Sequence, residues 1–129
     1  MAAVSVLEVP PLLPLDAYLV EEEGEARRLL ERAGATADSF GVHALQSLVR
    51  ARDAGRAIVD EAAAGDVELI VLGAARRTLK STGALVFGST VRHVLSSARC
   101  RVLVVAARPD IESMSPALGE RSALSRSAA

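Results

Sequence analysis

The sequence predicts a doubly wound α/β domain, in which helices cover both faces of a parallel β-sheet. Short apolar runs alternate with amphipathic helical patterns, and two of the runs are apolar at nearly every position. This alternation gives the order β-α-β-α-β-loop-α-β, with about four strands and three helices. At 129 residues, 50% of them apolar, the chain has room for one domain with a hydrophobic core.

The first half of the chain contains two strand patterns separated by a helical pattern. The Val-rich run 3–9 ends at two prolines, which cannot continue a β-ladder, so a strand is predicted there. Residues 42–49 have mixed polarity, which indicates an edge strand partly open to water. Residues 22–40 are predicted to form a helix because apolar residues recur every three or four positions, at Ala26, Leu29, Leu30, Ala33, Ala37 and Phe40.

The second half is predicted to contain two helices and two buried strands. Asp53 is expected to cap a helix that ends at Gly65, a residue suited to a left-handed conformation. Residues 67–72 and 102–106 are expected to be the central strands, covered on both faces. Ser89 is expected to cap the last helix, whose apolar stripe comprises Val91, Val94, Leu95 and Ala98.

The domain is predicted to span residues 1–108. Residues 109–129 are rich in Ser, Ala and Arg without periodicity, so a flexible tail is expected there. The net charge of -1 and the few aromatic residues argue against nucleic acid as a partner. No apolar stretch approaches the length of a membrane span and the single Cys100 excludes an internal disulfide, so we expect a cytoplasmic protein that does not insert into membranes.

Catalytic and metal-binding patterns are missing from the sequence. His43 and His93 are the only imidazoles, and neither has a nearby Ser or Cys nucleophile in a recognised motif. Cys100 is expected to be a small buried hydrophobic residue, and one Cys cannot build a thiolate metal cage. No dinucleotide or Walker fingerprint occurs. The sequence therefore predicts no catalytic residues, no metal site and no enzyme.

One segment has the composition of a phosphate site. From Leu72 to Thr90 the chain leaves a buried strand, crosses a loop rich in Gly, Ser, Thr and Arg, and enters a helix. Free backbone N–H groups at such a helix start favour an anion such as phosphate. Alternatively, Gly73 simply terminates a strand and Ser89 is an ordinary cap. The loop also carries three cationic side chains, Arg76, Arg77 and Lys80. These either pair with phosphate or are solvated.

Two stretches, VELIVLGAAR and FGSTVRHVLSSARCRVLVVA, resemble the nucleotide-binding half of universal stress proteins. The resemblance covers roughly residues 3–106 and implies the adenine-nucleotide alpha-hydrolase-like fold of that family. It also implies ATP or AMP as ligand, bound by residues of the family's glycine motif. Arg76 stands where the motif has its second glycine, and the segment between Gly73 and Gly88 is longer than in the family. The positions that match or replace motif residues are Gly73, Arg76, Gly88, Ser89, Thr90 and Val91.

The family's first strand and helix have no counterpart in this sequence. In the family that strand is central and carries an Asp near the adenine and ribose, so the resemblance implies that half of the nucleotide pocket is absent. The run 4–9 must then pair directly with 67–72, or a partner must supply a strand. The sequence also resembles stress-protein domains at the C-termini of some amino-acid permeases, so a domain fragment or a mis-set start is expected.

The function implied by the resemblance is a non-catalytic regulatory or stress-response module that binds ATP or AMP weakly. The alternative is a ligand-free structural or dimerisation domain, derived from a transporter. Because the family dimerises by pairing its final edge strands, a homodimer through the last strand, between Val102 and Val105, is implied in either case.

Overall fold

The computed structural model describes residues 1–75, 77–78, 81 and 85–107. The predicted order of strands and helices is confirmed, with one short antiparallel strand pair added inside the predicted loop. The tail predicted for residues 109–129 lies outside the described residues. In chain order the elements are β1 (Ala2–Glu8), α1 (Val20–Ser39), β2 (Leu45–Ala51), α2 (Ala54–Ala64), β3 (Leu69–Ala75), β4 (Arg77–Thr78), β5 (Leu85–Val86), α3 (Ser89–Ser97) and β6 (Arg101–Ala107).

The long strands form two separate parallel pairs, β1 with β2 and β3 with β6. Among the described residues no ladder joins β1 to β3. Of the two alternatives left by the sequence, direct pairing of residues 4–9 with 67–72 is therefore wrong. The sheet is interrupted between its two halves, and each half keeps its own two strands.

α1 and α2 lie on opposite faces of the β1–β2 pair. Arg50 on β2 bonds to Glu23 of α1, whereas Glu8 on β1 accepts a hydrogen bond from the backbone N–H of Ala54 at the start of α2. Leu7 pairs with Arg50 in the ladder, and the next side chain, that of Glu8, points to the other face. α1 and α2 thus cover opposite faces of the first pair, as in a doubly wound α/β domain.

Handedness then places the second strand pair. α2 packs on β1 as well as on β2, so its right-handed crossover puts β3 beyond β1. α3 packs against α2 and β6, and its crossover therefore continues in the same direction. The resulting order across the fold is β2-β1-β3-β6, with the interruption between β1 and β3.

An ion pair ties α1 to β2. The Arg50 guanidinium donates to Glu23 Oε2 at 2.6 Å and to the backbone carbonyl of Ala17 at 2.8 Å. Arg27, one helical turn beyond Glu23, donates to its other carboxylate oxygen at 2.8 Å. The hydrogen bond from Arg27, together with the charge of Arg50, holds the pKa of the Glu23 carboxyl below its ordinary value.

The hydrophobic core is small because several predicted core positions are exposed. The buried residues of α1 are Ala26, Leu30, Gly34 and Ala37. Three other predicted core positions, Leu29, Ala33 and Phe40, are exposed, and Phe40 is 81% exposed. The central strands were expected to be covered on both faces, but Leu69, Val71, Leu103 and Val105 are exposed, because none of the described helices packs on that face of the β3–β6 pair. The buried apolar residues include Leu7, Val9, Ala26, Leu30, Ala37, Ala44, Ala57, Ile70, Ala74, Val91 and Val94.

Two helix ends explain why the following strands begin later than predicted. After α1 the chain turns through Gly41, at a φ of 71°, and the N–H of Val42 bonds back to the carbonyl of Ala37. After α2 the left-handed residue is Asp66, at a φ of 47°, and not Gly65 as expected. The N–H of Val67 bonds back to the carbonyl of Ala62 in α2 in the same way. Val42 and Val67 therefore belong to helix-ending motifs and not to the strands that follow.

No helix within the described ranges is both long and apolar enough to cross a membrane.

Candidate functional site

The predicted phosphate site lies at the carboxyl end of β3 and the start of α3. Gly73 is in the second half of β3, and Gly88 is the residue that precedes α3. In an open parallel sheet, the carboxyl ends of the strands and the amino ends of the following helices meet at one edge, where ligands bind. The fold therefore places both glycines at the edge that such ligands use.

The amino end of α3 has free backbone donors. The Gly88 carbonyl accepts the first helical hydrogen bond, from the N–H of Arg92 at 3.1 Å, so Gly88 is the N-cap. Ser89 is the first helical residue, which corrects its predicted role as the cap. Gly88 has no side chain that could cap this end of the helix. The N–H groups of the first turn thus have no partner within the helix and carry its positive dipole end.

Both glycines leave open space. A Cβ added at Gly73 or at Gly88 would meet no atom within 4 Å. Gly88 has a φ of -65°, a value that any residue adopts. Neither packing nor backbone conformation among the described residues demands glycine at these positions, and the open space at Gly88 adjoins the start of α3.

The remaining motif positions differ in accessibility. Ser89 is exposed and Thr90 is half-buried, so both are at least partly accessible to solvent. Val91 is buried and its side chain contributes to the core. Arg76, which replaces the motif's second glycine, lies outside the described residues, as does Lys80.

A cleft lies at the opposite edge of the sheet, at the amino ends of β3 and β6. Its volume is about 590 Å³, and it is open to solvent on one side. It is bordered by the carboxyl ends of α2 and α3 and by the residues before β3 and β6, namely Val59, Asp60, Ala62, Ala63, Asp66, Val67, Ser97, Ala98, Arg99 and Cys100. Cys100 is half-buried there and not fully buried as expected. The cleft lies at the carboxyl end of α3, whereas Gly88 is at its amino end, so the cleft is not part of the site at Gly88.

The two histidines lie apart. His43 is exposed, with its Nδ1 3.9 Å from Asp38 Oδ1. His93 packs closely on α2, where a Cβ added at Gly55 would lie 3.0 Å from the His93 Cβ. No group of three or more potential metal ligands occurs among the described residues. Within the described residues, the two imidazoles therefore do not share a site.

Comparisons with known proteins agree with this architecture. The model of the universal stress protein family matches residues 2–106. A universal stress protein from Archaeoglobus fulgidus is 25% identical, with a TM-score of 0.62, over 78% of this chain and 67% of its own. A member of the family from Burkholderia pseudomallei is also 25% identical, with a TM-score of 0.54, over 81% of this chain and 70% of its own. No curated protein matches the sequence. Because the family model covers most of its length, the chain belongs to the universal stress protein family.

Proposed function

We propose that this chain is a non-catalytic stress-response module that binds ATP or AMP weakly through the phosphates. The observation that carries the proposal is the uncapped start of α3 beside two glycines that nothing in the described fold requires. Phosphate oxygens accept hydrogen bonds from such backbone N–H groups and are attracted by the helix dipole. Membership of the universal stress protein family supports the regulatory role.

In this proposal, each motif residue has a distinct part. The N–H groups of Ser89 and Thr90 donate to phosphate oxygens, and their hydroxyls add further donors. Gly73 and Gly88 leave the volume that the phosphates occupy. Val91 supports the helix start from the core. The adenine has fewer contacts than the phosphates, so the affinity is low.

Calorimetric titration of the full chain with ATP, AMP and adenosine tests this function. We expect ATP to bind with a dissociation constant on the order of 0.1–1 mM and AMP to bind more weakly, because fewer phosphate oxygens reach the helix start. Adenosine, which has no phosphate, should give no heat. Absence of heat with ATP at millimolar concentration, on a folded sample, would remove the ligand from the proposal. Equal binding of adenosine and ATP would place the recognition on the base.

The second candidate is a structural module whose function is dimerisation through β6. The outer edge of β6 has no strand beside it in the described fold, and Leu103 and Val105 are exposed. Unpaired strand edges with apolar side chains favour pairing with another chain. Light scattering at increasing concentration should then show the mass of a dimer, with or without nucleotide. A monomer at high concentration would contradict this candidate and leave the first one intact.

A further inference from the structure

The cleft at the amino ends of β3 and β6 has the size of a small-molecule site. Its volume of about 590 Å³ lies within the range of roughly 300–1,000 Å³ that is typical of ligand pockets. One wall is the carboxyl end of α2, and the other is the carboxyl end of α3, which packs on α2. Because Gly88 lies at the opposite end of α3, the cleft is separate from the proposed nucleotide site.

Both helices direct the negative ends of their dipoles toward the cleft. Neither α2 nor α3 has a basic residue in its last turn. The last backbone hydrogen bond of α3 joins the N–H of Ala98 to the carbonyl of Val94. The carbonyls of the last three helical residues, 95–97, therefore have no partner within the helix. Two such helix ends attract cations, and their carbonyls accept hydrogen bonds from N–H donors.

The charged side chains that border the cleft are negative on balance. Asp60 lies near the end of α2 and Asp66 follows the helix, whereas the cationic side chain is that of Arg99. Among the described residues, none of these three side chains forms an ion pair. The two carboxylates and the two helix ends outweigh the single guanidinium, so the cleft favours a cationic ligand.

The rest of the lining selects an organic cation over a metal ion. A hard divalent cation takes six or more oxygen ligands, and no group of three or more potential metal ligands occurs in the described ranges. Methylene groups, by contrast, are stabilised by contact with apolar side chains. The apolar lining residues are Val59, Ala62, Ala63, Val67 and Ala98.

The spacing of the two carboxylates indicates an elongated ligand. Asp60 and Asp66 are six positions apart in the sequence, which corresponds to about 9 Å along a helix axis. Ala62 and Ala63 lie between them in the sequence and also border the cleft. A ligand with an ammonium group at each end and an aliphatic chain in the middle matches this arrangement of charge and apolar surface.

We propose that the cleft between the carboxyl ends of α2 and α3 binds an aliphatic diamine. One ammonium group pairs with the Asp60 carboxylate and the other with the Asp66 carboxylate, while the methylene chain packs on the alanines. The free carbonyls at the end of α3 accept further N–H donors of the ligand. Because both carboxylates are exposed, solvent screens their charge, and the expected dissociation constant is on the order of 1–10 mM.

An NMR titration of the full chain with cadaverine, a linear aliphatic diamine, tests the proposal. At constant ionic strength, the amide signals of residues 60–67 and 97–100 should shift to saturation. Those of Ser89 and Thr90, at the other end of α3, should not move. Pentylamine has one ammonium group and should bind at least threefold more weakly. Pentanediol, which carries no charge, and magnesium chloride should give no saturable shifts.

Matched substitutions assign the binding to the two carboxylates. Asp60→Asn and Asp66→Asn each remove one charge, and each should weaken cadaverine binding at least threefold. Asn adopts the left-handed conformation of residue 66, at a φ of 47°, so this variant keeps the turn. Glu61→Gln removes the same charge from a residue of α2 that does not border the cleft, and affinity should be retained. Arg99→Gln removes the competing cation and should strengthen binding at least twofold.

Four results would overturn the proposal. One is the absence of saturable shifts at residues 60–67 and 97–100 with cadaverine at tens of millimolar. Another is an equal loss of affinity in Glu61→Gln and the two Asp variants, which would reduce binding to surface charge. The third is an equal response to pentanediol or magnesium chloride. The fourth is weaker binding by Arg99→Gln, which would make an anionic group the recognised one. If one Asp variant does not fold, the other decides against Glu61→Gln.

Discussion

Replacing Val94 with alanine is expected to lower the free energy of unfolding by about 2–3 kcal/mol, a large part of the stability of a small domain. Val94 is 0% exposed and lies on α3, which packs against both α2 and β6. The substitution removes two methyl groups from the core and leaves a cavity. The loss of stability is therefore the sum of the transfer free energy of these methyl groups and the cost of the cavity. Urea denaturation followed by circular dichroism measures the change.

Leu95→Ala is the matched control for this prediction. Leu95 is the next residue of the same helix but is 46% exposed, so its truncation should cost less than about 1 kcal/mol. Both substitutions replace an apolar residue by alanine on α3, which separates burial from helix propensity. An equal loss in the two variants would contradict the assignment of Val94 to the core.

Ser89→Glu is expected to weaken ATP binding at least tenfold while preserving the fold. The carboxylate would sit in the first turn of α3, where a negative charge stabilises the helix by about 0.3–1 kcal/mol. The same charge would occupy the region proposed for the phosphates and repel them. Calorimetry measures the loss of affinity, and thermal unfolding should show a melting temperature that is unchanged or raised.

Ser97→Glu provides the charge-matched control at the other end of the helix. Ser97 is exposed in the last turn of α3, where added negative charge opposes the helix dipole and lies far from the proposed phosphates. ATP affinity should be nearly unchanged, although stability should fall slightly. If both variants bind ATP as the unmodified chain does, the start of α3 does not bind the phosphates.

Most elements of the fold were predictable because local patterns and tertiary structure agree. Asp53 accepts a hydrogen bond from the N–H of Arg56, as expected of a helix cap. The strand boundaries were less predictable, because Val42 and Val67 are apolar residues next to a strand pattern yet bond back to the preceding helix. Apolar composition does not distinguish a residue in a helix-ending motif from the first residue of a strand.

The burial of the central strands could not be predicted from their composition. Runs such as VELIVL and VLVVA are typical of strands covered on both faces, yet Val71 and Leu103 are 59% and 52% exposed. Whether a face is covered depends on helices elsewhere in the chain, and the structure places α2 and α3 on one face only. Which strand edges would lack a neighbouring strand was equally unpredictable, because register, and not residue type, sets the hydrogen-bonding partners in a ladder.

The site was predictable in position but not in detail. Gly73 and Gly88 could be located from the strand and helix patterns that precede and follow them. The identity of the cap could not, because Ser is a stronger cap than Gly in general, and only the bond from Arg92 to Gly88 decides between neighbouring residues. The part played by Arg76 stays a prediction from the sequence.

The interrupted sheet also bears on how cooperatively the domain unfolds. The β1–β2 half and the β3–β6 half share no ladder, and helix contacts between α2 and α3 are the main link between them. Such weakly joined units can open one at a time, each with its own free energy. Because Gly73 and Gly88 lie in the second half, a bound anion would stabilise that half selectively and leave the opening of the first half unchanged.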